Sequence, residues 1–168
     1  MSTLAPPAPI SAGQSLANFD SGEYSLNEWL KKRAFKNHAS GASRCFVLCD
    51  GNSVIGYYSL SAGAISHESV QKGMRRNMPD PLPVLLLGRL AIDKKYHNQG
   101  IGQALLRDAM LRALSVASDA GVFALLVHAI SEHARQFYLS RGFVESPLRP
   151  MTLLMTIETI RSILSEPD

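Results

Sequence analysis

Apolar and polar positions follow different periods in different stretches of the chain, and the changes of period mark out its elements. Leu26, Trp29, Leu30 and Ala34 recur at helical spacing, with Glu28, Lys32 and Lys36 on another face, which predicts a helix from about residue 25 to 39. Ser25-Leu26-Asn27-Glu28 reads as a capping box at its start. Residues 44–49 and 54–62 read as strands joined by a turn at Asp50, Gly51 and Asn52. Residues 84–92 are almost uniformly apolar, as a strand covered on both faces would be. A helix follows from Gln99 to about Ala120, then a buried strand over 123–129. Ser131 caps a helix reaching Arg141 and ended by Gly142, residues 151–157 form a last strand, and a short helix closes the chain. Between these elements, 67–83 is an irregular crossover with a short helix, ended by Pro79, Pro81 and Pro83. Residues 1–9 read as a flexible, extended tail, because Pro6, Pro7 and Pro9 exclude regular pairing; residues 10–168 then form one domain.

Composition narrows the class without choosing a function. Hydrophobic residues make up 46% and charged residues 18% of 168, which excludes a disordered chain. No apolar stretch reaches membrane-spanning length, and the N-terminus lacks a basic segment followed by an apolar core, so a cytoplasmic protein with no membrane partner is expected. A net charge of +3 is compatible with a polyanionic ligand but does not demand one. The two cysteines, Cys45 and Cys49, share one strand at a spacing of about 13 Å, too far apart to bridge, and are expected buried and reduced. The five histidines form no metal-ligand cluster.

The most informative segment is the passage from the apolar strand into the long helix. Asn98, Gln99, Gly100, Ile101, Gly102, Gln103 and Ala104 make a glycine-containing turn that opens directly into that helix. The first amides of a helix lack intrahelical acceptors and favour an anion, and Gly100 and Gly102 put no Cβ in the way of a pyrophosphate. The spacing fits neither a Walker A loop nor a dinucleotide fingerprint, since Leu105 stands where a third glycine would fall.

His97-Asn98-Gln99-Gly100-Ile101-Gly102 resembles the pyrophosphate motif of the GNAT superfamily, departing at His97, and Ala134-Arg135-Gln136-Phe137-Tyr138 with Gly142-Phe143 resembles that family's second motif. The resemblance implies an α/β (α+β) GNAT fold, a mixed central sheet with splayed strands flanked by helices. It also implies acetyl-CoA as cosubstrate, with backbone groups of Leu90, Ala91 and Ile92 bonding the pantetheine. Many GNAT enzymes use a strand carboxylate as base, yet residues 84–92 contain no Asp or Glu. An acceptor that needs little help to lose its proton fits best: an α-amine near 7.7–8.0, lower still beside an ester, and not a lysine near 10.4. Tyr138 is the candidate general acid, a phenol near 10 matched to the departing thiolate; the bland alternative is an aromatic packed on the core.

Arg89 sits among Leu85, Leu86, Leu87, Leu90 and Ile92, where a charge either pairs with a buried acid or faces a cleft and meets an anionic substrate; acids are sparse nearby. Arg75 and Arg76 occupy a proline-flanked loop suited to a phosphate backbone. Lys31, Lys32, Arg33 and Lys36 form another basic cluster, in which Glu28–Lys32 is also an ordinary helix pair. Phe19-Asp20-Ser21-Gly22, Leu26-Asn27-Glu28-Trp29-Leu30-Lys31, Arg75-Arg76-Asn77-Met78-Pro79-Asp80-Pro81, Leu87-Gly88-Arg89-Leu90-Ala91 and Pro150-Met151 together resemble the GNAT toxins of bacterial toxin–antitoxin modules, the TacT and AtaT type. That resemblance implies acetylation of the α-amine on aminoacyl-tRNA, which blocks translation, with Tyr138 catalytic. Arg75, Arg76 and Arg89 would then lie along the tRNA path, and Lys32 and Lys36 are further candidates for it. It further implies a homodimer and a cognate ribbon-helix-helix antitoxin that reaches operator DNA. A peptide N-terminus or small amine as acceptor stays open at this stage, as does a role as a repression partner.

Overall fold

The hairpin expected around Gly51 forms: β2 (Arg44–Asp50) and β3 (Ser53–Ile65) run antiparallel, with Cys45 opposite Ser59 and Val47 opposite Tyr57. The computed structural model describes residues 4–166. Its strands hydrogen-bond in the order β1-β2-β3-β4-β5-β7-β6, a seven-stranded mixed sheet. The chain divides into two compact units, one of residues up to Ser61 with Gly88–Ala109, the other of Ala62–Leu87 with the residues from Met110 onward.

In the first unit β1 (Ala8–Pro9) pairs with β2, Ala8 opposite Val47 and Pro9 opposite Phe46. The prolines therefore do not keep this segment out of the sheet, because an edge strand uses only one side of its backbone and tolerates a missing N–H. Residues 1–3 of the expected tail lie outside the described residues. A register shift between Leu48 and Cys49 breaks the strand's phase, so Cys45 is buried while Cys49 is half-buried; both are free thiols.

The expected helix is present but starts differently. It runs as α1 (Tyr24–Trp29), a π-helical turn (Leu30–Ala34) and α2 (Phe35–Ser40). Ser25 lies inside α1, and no side chain caps its first turn, so the capping box does not form. The segment before the helix is instead tied to α1 and to itself: Asn27 Oδ1 accepts from the Ser21 amide at 2.8 Å, and Asp20 Oδ1 accepts from Gly22 N and Asn27 Nδ2, both at 2.9 Å. Glu28 turns outward to Lys32 at 2.7 Å. Leu26, Leu30 and Ala34 face inward as expected, onto a core of Ile10, Phe19, Cys45, Val47, Val54, Tyr57 and Ala91.

In the second unit β4 (Leu82–Ile92) begins with its pairing to β5 (Ala124–His128), parallel and with Val84 to Leu87 opposite Ala124 to Val127. β4 continues five residues beyond that last rung. Next to β5 lies antiparallel β7 (Thr152–Thr156), then β6 (Val144–Glu145), a two-residue strand too short to show an alternating pattern in sequence. Pro83 belongs to β4, where its carbonyl accepts from Phe123 N at 2.7 Å. α4 (Glu132–Ser140) is capped by the Ser131 hydroxyl, which accepts from Ala134 N, and Thr156 caps α5 (Ile157–Ser165) in the same way. Val70, Leu82, Val84, Phe123, Ala124, Leu126 and Leu154 make this unit's core.

The crossover before β4 is built from two 3-10 turns, His67–Ser69 and Lys72–Met74. His67 Nε2 lies 3.0 Å from Met78 O and also against Pro79 O. Both partners are carbonyl oxygens, so Nε2 carries the proton and donates. That bond ties Met78 and Pro79 back to the start of the crossover.

Candidate active site

The turn after β4 is set by an acid that belongs to neither family motif. Asp93 is 7% exposed, and its Oδ1 accepts from Lys95 N at 2.9 Å, capping a 3-10 turn (Lys94–Tyr96). Its Oδ2 accepts from Asp20 N at 3.0 Å, while Lys94 Nζ pairs with the Asp20 carboxylate at 3.1 Å. The Gly22 amide first, then Lys94 and Asn27, hold the Asp20 carboxyl down to about 2. An Asp directly after an apolar strand and directly before the next turn is a legible N-cap signal. It fixes the platform from which the loop departs.

His97 then folds back, its Nε2 at 2.7 Å from Ile92 O, and Asn98 and Gly100 take left-handed conformations at φ 63° and 79°. α3 (Ile101–Asp119) starts two residues later than expected, and Gly100 supplies its first acceptor, to Ala104 N at 3.1 Å. The amides of Ile101, Gly102 and Gln103 thus precede the helical ladder. Asn98, Gln99 and Gly100 are exposed, and a Cβ placed on Gly100 meets no atom within 4 Å. Open space before a helix N-terminus fits a pyrophosphate. His97 directs its ring to the strand and so leaves the approach to the loop's backbone. The same unit holds Leu90, Ala91 and Ile92 at the end of β4, where burial loosens after Leu87: Gly88 is exposed and Arg89, Leu90 and Ile92 are half-buried.

Of the two environments expected for Arg89, a buried acid is the one the structure excludes. Its guanidinium lies over the Trp29 indole, 4.3 Å from the ring centroid, and no acid pairs with it among the described residues. Lys32 is engaged with Glu28, and Lys36 is exposed.

Tyr138 lies in the second unit, near the end of α4 and 5% exposed. Its ring packs edge-on against Phe137 at 5.2 Å and Phe143 at 5.3 Å. Burial pushes its phenol above the usual tyrosine value, so the match near 10 expected from sequence does not hold for the free protein. The hydroxyl stays protonated, as a proton donor must. It makes no hydrogen bond to any described residue. Arg135, one turn earlier on α4, clasps Glu132 at 2.8 Å, Glu145 of β6, and Pro150 O at 3.1 Å, binding helix, strand and loop together. Arg75 is half-buried at the end of its 3-10 turn and Arg76 is exposed. Among the described residues no group of three or more His, Cys, Asp or Glu could hold a metal, and no helix is long and apolar enough to cross a membrane.

Residues 41–145 match the family model of the acetyltransferase (GNAT) domain. A tRNA-acetylating toxin of Mycobacterium tuberculosis is 43% identical over 166 residues, 99% of this chain and 100% of that one. Among solved structures, AtaT complexed with acetyl-methionyl-tRNAfMet superposes with a TM-score of 0.91 at 28% identity, covering 97% of this chain and 100% of that one. A mutant AtaT toxin bound to the C-terminus of the antitoxin AtaR and acetyl-CoA superposes at 0.84, again 28% identical, over 98% and 99% of the two chains. With the glycine turn before α3, the apolar strand ahead of it and the Phe137-Tyr138 helix all present, the chain belongs to the GNAT acetyltransferases, in the family of the tRNA-acetylating toxins.

Proposed function

We propose that this protein is a toxin enzyme that transfers the acetyl group of acetyl-CoA to the α-amino group of the amino acid on a charged tRNA, which then cannot serve in translation. The observation that carries this reading is similarity to a tRNA-acetylating toxin along the whole chain, beyond the part that binds cofactor in any acetyltransferase of this fold. The residues fit the chemistry. The amides of 98–103, ahead of the first helical bond from Ala104 N, bind the pyrophosphate, and the backbone of Leu90, Ala91 and Ile92 holds the pantetheine. A bond forms between the amine nitrogen and the acetyl carbon as the thioester C–S bond breaks. The sulfur takes its proton from the Tyr138 hydroxyl, and the proton that the nitrogen sheds on becoming an amide passes to solvent, from which the phenol is restored. The absence of Asp and Glu from β4 suits an α-amine, which is already largely neutral near pH 8. Arg75, Arg76, Arg89 and Lys36 supply charge to the phosphate backbone; Lys32 joins them only by leaving Glu28.

Within this reading residues 10–168, together with the edge strand Ala8–Pro9, act as one acetyltransferase domain in the cytoplasm. The protein forms a homodimer and is neutralised by a ribbon-helix-helix antitoxin, which brings it to operator DNA.

The test incubates the protein with labelled acetyl-CoA and a fully charged total tRNA pool, then identifies labelled aminoacyl adenosines by mass spectrometry. Label on one or a few amino acids is the expected result. No label, from protein that demonstrably binds acetyl-CoA, would overturn the tRNA acceptor in favour of a peptide N-terminus or small amine. Changing Arg75 and Arg76 to Ala should weaken tRNA binding and flatten its salt dependence, by about one unit of slope for each phosphate no longer neutralised. An unchanged slope would remove both from the interface.

A further inference from the structure

An arginine in the interior half of a strand ordinarily needs an acid, because burial of an unpaired charge is costly. Arg89 is half-buried in β4 and has no acid partner and no hydrogen-bond partner among the described residues. What it has is the face of Trp29, 4.3 Å from guanidinium carbon to ring centroid. That ring is itself held. It stacks on Tyr57 with centroids 5.8 Å apart and planes 12° from parallel, and Phe19 packs edge-on to Tyr57 at 5.6 Å. The Tyr57 hydroxyl donates to Leu26 O at 2.6 Å, which anchors the stack to the helix that carries Trp29. Directly after Trp29 the helix widens into the π-helical turn Leu30–Ala34, an uncommon form that concentrates at functional positions.

The two possible partners for a guanidinium differ in what they leave behind. A carboxylate takes two of its five N–H donors and cancels its charge. An indole face fixes the plane of the group and offsets part of its desolvation, yet takes none of the in-plane donors and leaves the full positive charge. We propose that Trp29 is a positioning residue for Arg89: it holds the guanidinium in place without neutralising it, so that its N–H edge meets a phosphate of the tRNA. This rests on the proposed tRNA substrate and adds to it a specific reason why helix α1 carries a tryptophan at this position. The indole substitutes for the acid that β4 and its surroundings do not provide.

The experiment measures binding of total charged tRNA over a salt series, in the absence of acetyl-CoA, for Arg89→Ala, Trp29→Leu, Trp29→Phe and the Trp29→Leu/Arg89→Ala double variant. Acetyl-CoA affinity and melting temperature are read alongside. A cation–π contact at a partly desolvated site corresponds to a factor of roughly 2 to 30. Trp29→Leu should lose tRNA affinity within that range and lower the salt slope toward that of Arg89→Ala. Trp29→Phe, which keeps an aromatic face, should regain most of the loss. In the Arg89→Ala background Trp29→Leu should cost nothing further, and acetyl-CoA affinity should hold throughout. Should the leucine variant melt below the assay temperature, Trp29→Met, flexible enough to fill the same space, takes its place with the same expectations. Equal losses from Trp29→Leu with and without Arg89, no loss at all, or a parallel loss of acetyl-CoA affinity would each overturn the positioning role while leaving the tRNA substrate intact. An Arg89→Ala variant with unchanged affinity and salt slope would instead remove Arg89 from the tRNA path, and the proposal with it.

Discussion

At the scale of single residues, the environment of Tyr138 separates its packing from its chemistry. The ring is wedged edge-on against Phe137 and Phe143, whereas the hydroxyl has no hydrogen-bond partner among the described residues. Tyr138→Phe therefore keeps the apolar contacts and breaks no internal hydrogen bond, so its stability should change by less than about 1 kcal/mol. Its turnover should fall by roughly two to four orders of magnitude, the usual worth of a positioned proton donor, with acetyl-CoA affinity nearly unchanged. Turnover and direct cofactor titration on the same preparation decide the matter. Equal loss in both would mean that the tyrosine only packs. Burial raises the phenol's pKa, so Tyr138 itself should add no alkaline limb to the rate profile below about pH 10.

At the scale of elements, Gly142 and Gly100 are two of the glycines that flank helices with positive φ, and they should respond to a methyl group differently. Gly142, after α4, has φ 105°, and a Cβ there would lie 3.1 Å from Ile163 Cδ1 and 3.4 Å from Met155 Cε. Gly142→Ala combines backbone strain with crowding of the second unit's interior and should cost about 2–4 kcal/mol of stability. Gly100, before α3, has φ 79° and open space around it. Gly100→Ala should cost about 1–2 kcal/mol from strain alone, yet lose acetyl-CoA affinity because the methyl group occupies the ligand's approach. Urea midpoints and acetyl-CoA titrations on both variants test the contrast, and full affinity in Gly100→Ala would contradict the loop assignment. The loop is legible in sequence because its signal is local: apolar strand, glycines, long amphipathic helix. So are β4, α3 and the Ser131 cap. Starts are less legible, since Ser25 and Glu28 match a capping pattern, yet Ser25 lies inside α1 and Glu28 pairs with Lys32. β1 and β6 have two residues each, below any periodic signal. The π-helical turn leaves the apolar stripe intact and so leaves no trace in the pattern. Arg89's partner is invisible for another reason: Trp29 fits the inward stripe of its helix, and its second role depends on a contact distant in sequence.

At the scale of the whole molecule, both compact units keep a proton on a buried group that would lose it in the unfolded chain, and this sets how the protein meets alkali. Burial pushes the Cys45 thiol up to about 12 and raises the Tyr57 phenol as well, both in the first unit; Tyr138 is raised in the second. For each, the folded protein retains a proton that the unfolded chain releases once pH exceeds the ordinary value, near 8.5 for a thiol and near 10 for a phenol. The unfolded state then binds fewer protons than the folded state, so stability falls as pH rises. The thiol responds first. Between pH 8.5 and 10 Cys45 alone lowers stability by at most about 2 kcal/mol, and the two tyrosines steepen the fall beyond pH 10. Urea unfolding of wild type and Cys45→Ala at pH 7.5, 9 and 10 isolates that contribution. Cys45→Ala should be less stable at pH 7.5, because it leaves a small cavity in the core beside Tyr57, but its stability should decline less toward pH 10. The two curves should converge as pH rises. Parallel curves would mean that the thiol ionises equally in both states, and that the closed core around Cys45 is not what keeps its proton.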